Sequence, residues 1–284
     1  MPYPLEHHQV PTNGLTLHVV QCGPAVGPLV VLLHGFPEFW FAWRKQMEAL
    51  AEAGYRVWAP DQRGYNLSDK PSWVRDYAID QLAADIIGLL DAAGQQTAAI
   101  VGHDWGAAVA WHLAGQHPDR ISRTAVLNVP HPAVLGRALR QSRRQLRKSW
   151  YIFFFQLPFV PEAFIRFRNY WLGRQSLRRT SRRGTFSDAD LEEYVAAWRQ
   201  PGALRGMINW YRAAARHPRR LAGTGRVTGP LHIIWGGKDA FLEADLARQS
   251  LEFCDNGQLT YLRASHWVHH EEAAEVNRLL LAFL

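Results

Sequence analysis

Five short apolar runs, at residues 29–33 (LVVLL), 56–59 (RVWA), 98–101 (AAIV), 124–127 (TAVL) and 231–235 (LHIIW), constrain this chain most. Their near-continuous hydrophobicity is the pattern of strands buried on both faces, as in a parallel sheet covered by helices on each side. Helical patterns at 43–53, 79–93, 105–117 and 273–284 separate or follow them. This alternation predicts a doubly wound, mostly parallel α/β core. It stops after Asn128. From Pro132 to about Leu221 come aromatic, Arg-rich helical segments such as SWYIFFFQL and LEEYVAAWRQ, with breaks expected at Pro158, Pro161 and Pro201. Sheet signals return at Leu231. The expected organisation is a first core segment (1–131), a helical cap (132–221) and a second core segment (222–284). The cap would lie over the carboxyl ends of the strands, where open α/β sheets bind ligands.

Charge marks the same boundaries. Residues 132–226 hold 20 Arg and Lys against five acids, a net +15, which leaves −8 on the rest of a chain whose total is +7. No nucleic-acid motif accompanies the basic stretch, so it reads as a solvated face and no nucleic-acid partner is expected. Cys22 and Cys254 define no disulfide framework. No apolar run approaches the roughly 18 residues of a membrane span. The opening MPYPLEHHQV lacks the basic and apolar regions of a signal peptide. The expectation is a cytoplasmic protein without a membrane partner.

The chemistry-bearing residues sit at strand ends. In VGHDWGAAVA, Gly102-x-Asp104-x-Gly106 lies between an apolar run and a helix. That is the layout of a nucleophile elbow, whose tight turn leaves no room for neighbouring side chains and whose central residue is usually serine. Here it is an aspartate. A plainer reading is an Asp capping the following helix. Earlier, LLHGFPEFW supplies an HG-type loop, so the backbone N–H groups of Phe36 and Trp105 are the candidate oxyanion donors, with His34 shaping the loop. In WGGKDAFLE, Asp239 falls in a strand-end loop suited to a triad acid. Glu243 and Asp245 are rivals further into the next element, and the other common acid position offers only the amide of Asn128. In RASHWVHHEE, His266 is the candidate base, while His269 and His270 run on toward the last helix.

Taken together, HGFPEFWFAWR, DQRGYNLSDKP, GHDWGA, NVPHP, WGGKDAFLE and ASHW resemble the epoxide hydrolases of the α/β-hydrolase fold over essentially the whole chain. Asn66 stands where many relatives have Gly, a change that left-handed backbone tolerates. The resemblance implies an aspartate nucleophile at Asp104, an acid at Asp239 and a base at His266. It also implies two cap tyrosines holding the epoxide oxygen. They match Tyr211, in INWYRAA, and Tyr151, preferred over Tyr170 and Tyr194 because FFQ-x-P follows it. A carboxylate with a pKa near 4 is ionised at neutral pH and attacks without first losing a proton. The implied reaction converts a small apolar epoxide to a vicinal diol through an aspartyl ester, without metal or organic cofactor, in a monomer or homodimer. Phe36, Trp105, Phe154 and Trp267 are the expected pocket residues. The alternative is a haloalkane or fluoroacetate-type dehalogenase on the same fold. Against it, Phe36 stands where many haloalkane dehalogenases place Asn or Glu, and Trp105, Ala107 and Ala108 leave no arginine beside Asp104.

Overall fold

The computed structural model describes residues 3–284, apart from the side chains of residues 219 and 222; Met1 and Pro2 of the MPYPLEHHQV opening lie outside them. Eight strands form one sheet: β1 (Glu6–Thr12), β2 (Leu15–Cys22), β3 (Leu29–Leu33), β4 (Arg56–Pro60), β5 (Ala98–His103), β6 (Ile121–Leu127), β7 (Val227–Gly236) and β8 (Cys254–Leu262). Their order is β1-β2-β4-β3-β5-β6-β7-β8. Strands β3 to β8 pair in parallel, and β3 and β5 are buried along their whole length, as continuous apolar runs require. The β1–β2 hairpin is an addition to the predicted strands. It pairs antiparallel around Asn13 and Gly14, both at positive φ, and β2 joins the sheet antiparallel to β4. Its outer strand, EHHQVPT, is polar and mostly exposed at the sheet edge, which hides it from a search for apolar runs.

Helices α1 (Arg44–Glu52), α2 (Ile79–Ala92) and α3 (Trp105–Gln116) follow β3, β4 and β5. The chain leaves β3 in one direction to form β4 and returns on the other side to form β5. This reversal opens a crevice at the carboxyl ends of β3 and β5, the place where doubly wound sheets hold ligands. Seven helices then intervene between β6 and β7: α4 (Pro132–Gln141), α5 (Arg143–Lys148), α6 (Trp150–Phe154), α7 (Val160–Thr180), α8 (Asp188–Arg199), α9 (Ala203–Arg216) and α10 (Pro218–Ala222). Finally come α11 (Asp245–Ser250), α12 (Val268–Glu271) and α13 (Ala273–Phe283).

Two apolar layers flank the sheet. On one face Met47 and Leu50 of α1 and Val276 and Leu280 of α13 meet Val30, Leu32 and Val101. On the other, Leu82, Ile86 and Val109 meet Val31, Ile100 and Ile233. Within the insert Pro158 falls in the break between α6 and α7 and Pro201 in that between α8 and α9, as expected, whereas Pro161 does not break a helix. Pro161 lies in the first turn of α7, where its missing N–H costs nothing. The break in α7 falls instead at Phe167–Tyr170, where Arg168, Asn169 and Tyr170 have φ of 46°, 56° and 62°. No proline marks that kink. Among the described residues no helix is long and apolar enough to cross a membrane.

Candidate active site

Asp104 sits at the turn from β5 to α3 with φ 49° and ψ −121°, a strained backbone for a non-glycine residue. The turn is possible because its neighbours lack side chains: a Cβ on Gly106 would lie 2.0 Å from the Leu33 carbonyl oxygen, and one on Gly102 2.3 Å from that of Gly106. The Asp104 side chain makes no capping bond to α3, so the plainer reading does not describe it. Its Oδ1 instead accepts a hydrogen bond from the Phe36 N–H at 2.8 Å. The Trp105 N–H belongs to the open first turn of α3, whose leading N–H groups have no partner within the helix. His34 is buried, donates from Nδ1 to the Gly35 carbonyl at 3.0 Å and accepts the Gln62 N–H on Nε2 at 3.0 Å. Both ring nitrogens are committed to the loop.

His266 lies between two carboxylates. Its Nδ1 is 2.7 Å from Oδ2 of Asp239, and its Nε2 is 3.5 Å from Oδ2 of Asp104. Asp239 is fully engaged: Asn128 Nδ2 donates to Oδ2 at 2.7 Å, and the N–H groups of Phe241 and Leu242 donate to Oδ1 at 2.7 and 3.0 Å. The amide at the alternative acid position thus anchors the acid. Glu243 is turned away onto Ser142 and Arg144, and Asp245 opens α11. Burial works against the charged form of both Asp104 and Asp239, yet His266 and the surrounding hydrogen bonds outweigh it and hold both below the usual carboxylate range. Burial also disfavours the imidazolium, but the Asp239 and Asp104 charges and hydrogen bonds override it and push His266 up to about 10.

Behind this row lies a second buried cluster that the motifs did not single out. Glu38 of the HGFPE loop accepts from His103 Nδ1 at 2.9 Å, from His270 Nε2 at 2.7 Å and from the Tyr194 hydroxyl at 3.0 Å. His103 Nε2 in turn donates to the His266 carbonyl at 2.9 Å, tying the cluster to the loop that carries the base. Burial alone would raise the Glu38 pKa, but His269, His103 and His270 bring it well below the normal value. A glutamate among apolar residues in HGFPEFW was the available signal, because a buried carboxylate requires partners.

A cavity of about 340 Å³ lies between the strand ends and the insert, with Asp104 and His266 on one wall and Tyr151 and Tyr211 on the other. The two tyrosine rings are 5.9 Å apart, nearly perpendicular, and Tyr211 packs edge-on against Phe36. Burial, then the Asp104 charge, pushes both phenols up, so both keep their protons at neutral pH. Tyr170 packs on Trp198, and Tyr194 is occupied by Glu38; neither lines the cavity. Phe36, Phe154 and Trp267 line it. Trp105 does not, and that expectation is corrected: its indole packs against Trp210 and Tyr211 and faces a small separate cavity near Tyr77 and Leu82.

Residues 28–273 match the family model described as alpha/beta hydrolase fold. The chain is 47% identical to the AB hydrolase superfamily protein YfhM of Bacillus subtilis, covering 97% of this chain and 96% of that one. It is 34% identical to epoxide hydrolase A of Mycobacterium tuberculosis, with 97% and 96% covered. The chain belongs to the epoxide hydrolases of the α/β-hydrolase fold. Solved structures of the family superpose closely. The Bacillus megaterium epoxide hydrolase in complex with an inhibitor gives a TM-score of 0.88 at 29% identity, over 97% of this chain and 99% of that one. Epoxide hydrolase A from Mycobacterium thermoresistibile gives 0.86 at 33% identity, over 99% and 98%.

Proposed function

We propose that this protein hydrolyses epoxides to vicinal diols through a covalent ester on Asp104, with residues 132–221 forming the lid of the site. The observation that carries this reading is the pair of tyrosines facing the carboxylate across one cavity, whose burial keeps their phenols protonated. An alkoxide is a poor leaving group, so opening the ring at a saturated carbon needs donors on the epoxide oxygen. Tyr151 and Tyr211 supply them, and one transfers its proton as the C–O bond breaks. The apolar lining, including Phe36, Phe154, Phe155 and Met207, favours an apolar substrate.

The second step is acyl chemistry. Forming the ester removes the Asp104 charge, one of the influences that hold His266 protonated. The imidazolium then gives its proton to the phenolate left by ring opening, which restores the tyrosine, and the neutral imidazole, oriented by Asp239, can act as a base. It takes a proton from water, the hydroxide adds to the ester carbonyl carbon, and the diol departs as the carboxylate re-forms. The proton taken from water stays on His266 and restores the resting imidazolium. Oδ1 of Asp104 already rests on the Phe36 N–H, so the tetrahedral oxyanion develops beside a donor in place. The Trp105 N–H is the second donor. Water and substrate balance the reaction, so no cofactor is called for.

A dehalogenase needs N–H donors for a halide and no proton source, and a fluoroacetate enzyme needs cations beside the nucleophile. Ala107 and Ala108 are buried there instead. The test is His266→Gln mixed with styrene oxide. Intact mass should show an adduct mapping to Asp104, and wild type should show none at steady state. An adduct on another residue removes Asp104 from the mechanism.

A further inference from the structure

The insert presents a surface that the proposed reaction does not use. Between residues 146 and 171 nine large apolar side chains stand in water, among them Phe159 (82% exposed), Trp150 (61%) and Phe153 (58%). They are not scattered singles. The Phe154 ring is 5.9 Å from Trp150 and 5.5 Å from Phe164, and Trp150, Phe164 and Trp171 also line the cavity, so these half-exposed rings form its rim. Interleaved with them are exposed Arg143, Arg147, Arg166 and Arg168. Among the described residues none of these four is in an ion pair, whereas Arg174, Arg178 and Arg182 of the same insert all hold acids. Arg168 lies over the Phe167 ring, and Arg147 reaches only the Arg143 carbonyl.

We propose that this face rests on an anionic lipid surface, with the aromatic rim in the headgroup boundary and the cavity opening toward the bilayer. Apolar rings flanked by unpaired arginines are the composition of a surface that lies in a membrane interface. Charge decides between occupants. A second copy would bring two strongly basic inserts together, whereas an anionic leaflet neutralises them at about 1 kcal/mol per cation near the surface. The protein lies against the membrane and does not cross it. An apolar substrate dissolved in the bilayer would then reach the cavity without passing through water.

The test is co-sedimentation of the whole protein with vesicles of phosphatidylcholine alone and with vesicles containing one third phosphatidylglycerol. Binding is expected only to the second, and to weaken with added salt. The exposed pairs Phe153→Ser/Phe159→Ser and Arg143→Gln/Arg147→Gln should each reduce it about tenfold and leave turnover of a water-soluble epoxide unchanged. The vesicle readout is independent of the catalytic assignment. No binding to the anionic vesicles, or binding by both variants as strong as that of wild type, overturns the proposal. So does a concentration-dependent dimer that Phe153→Ser/Phe159→Ser abolishes, because a second copy then covers the face.

Discussion

The strand ends and the helical insert solve opposite problems within one site. On the sheet side Asp104, Asp239 and His266 sit on loops whose backbone is locked by close-packed glycines, and their polar atoms are held by Phe36, Asn128, Phe241 and Leu242. On the insert side the two tyrosines ride on α6 and α9 among rings that contact one another edge-on, and the outer face leaves aromatic side chains in water. Charge follows the same division, with the insert strongly basic and the rest of the chain acidic. The difference teaches how the proposed mechanism divides its labour: rigidly held polar groups on the sheet side, and phenols with an apolar rim on the insert.

The sharpest way to break this division is to remove the proposed nucleophile. Asp104→Ala should lower kcat on the order of 10⁴-fold or more with the circular dichroism spectrum unchanged. Turnover persisting near the wild-type level would place the essential group elsewhere. On the insert side the effect should be graded. Tyr151→Phe or Tyr211→Phe each removes one donor and should slow ring opening roughly 10- to 1000-fold, with the double variant almost inactive. A double variant close to wild type in single-turnover kinetics would strip the insert of its chemical role.

The smallest expected effects concern stability. Ile233 is fully buried in β7, so Ile233→Ala should cost about 2–5 kcal/mol by denaturant titration. Phe153→Ser on the outer face should fall within about 0.5 kcal/mol of wild type. Equal losses at the two positions would mean that the insert's outer face is packed in solution, contrary to the contrast drawn between the regions.

Much of the molecule is legible from the chain alone. The parallel strands announce themselves because a strand buried on both faces has no polar alternation, and the elbow does so because its turn excludes side chains around Asp104. The β1–β2 hairpin is less legible: EHHQVPT is polar because it lies at an exposed edge, although Asn13-Gly14 is a hairpin signal. Neither the kink at Phe167–Tyr170 nor the direction of the Trp105 indole can be read from local pattern, since each depends on what packs beside it.

By itself, then, the sequence determined the residue types at the strand ends, the excess of positive charge between Pro132 and Arg226 and the chain order of Asp104, Asp239 and His266. Only the tertiary structure decided that Asn128 holds Asp239 and that Glu38 gathers His103, His270 and Tyr194. The reason is distance along the chain. Local patterns encode turns and burial periodicity, whereas hydrogen bonds between residues a hundred positions apart exist only once the sheet order brings their loops to one end.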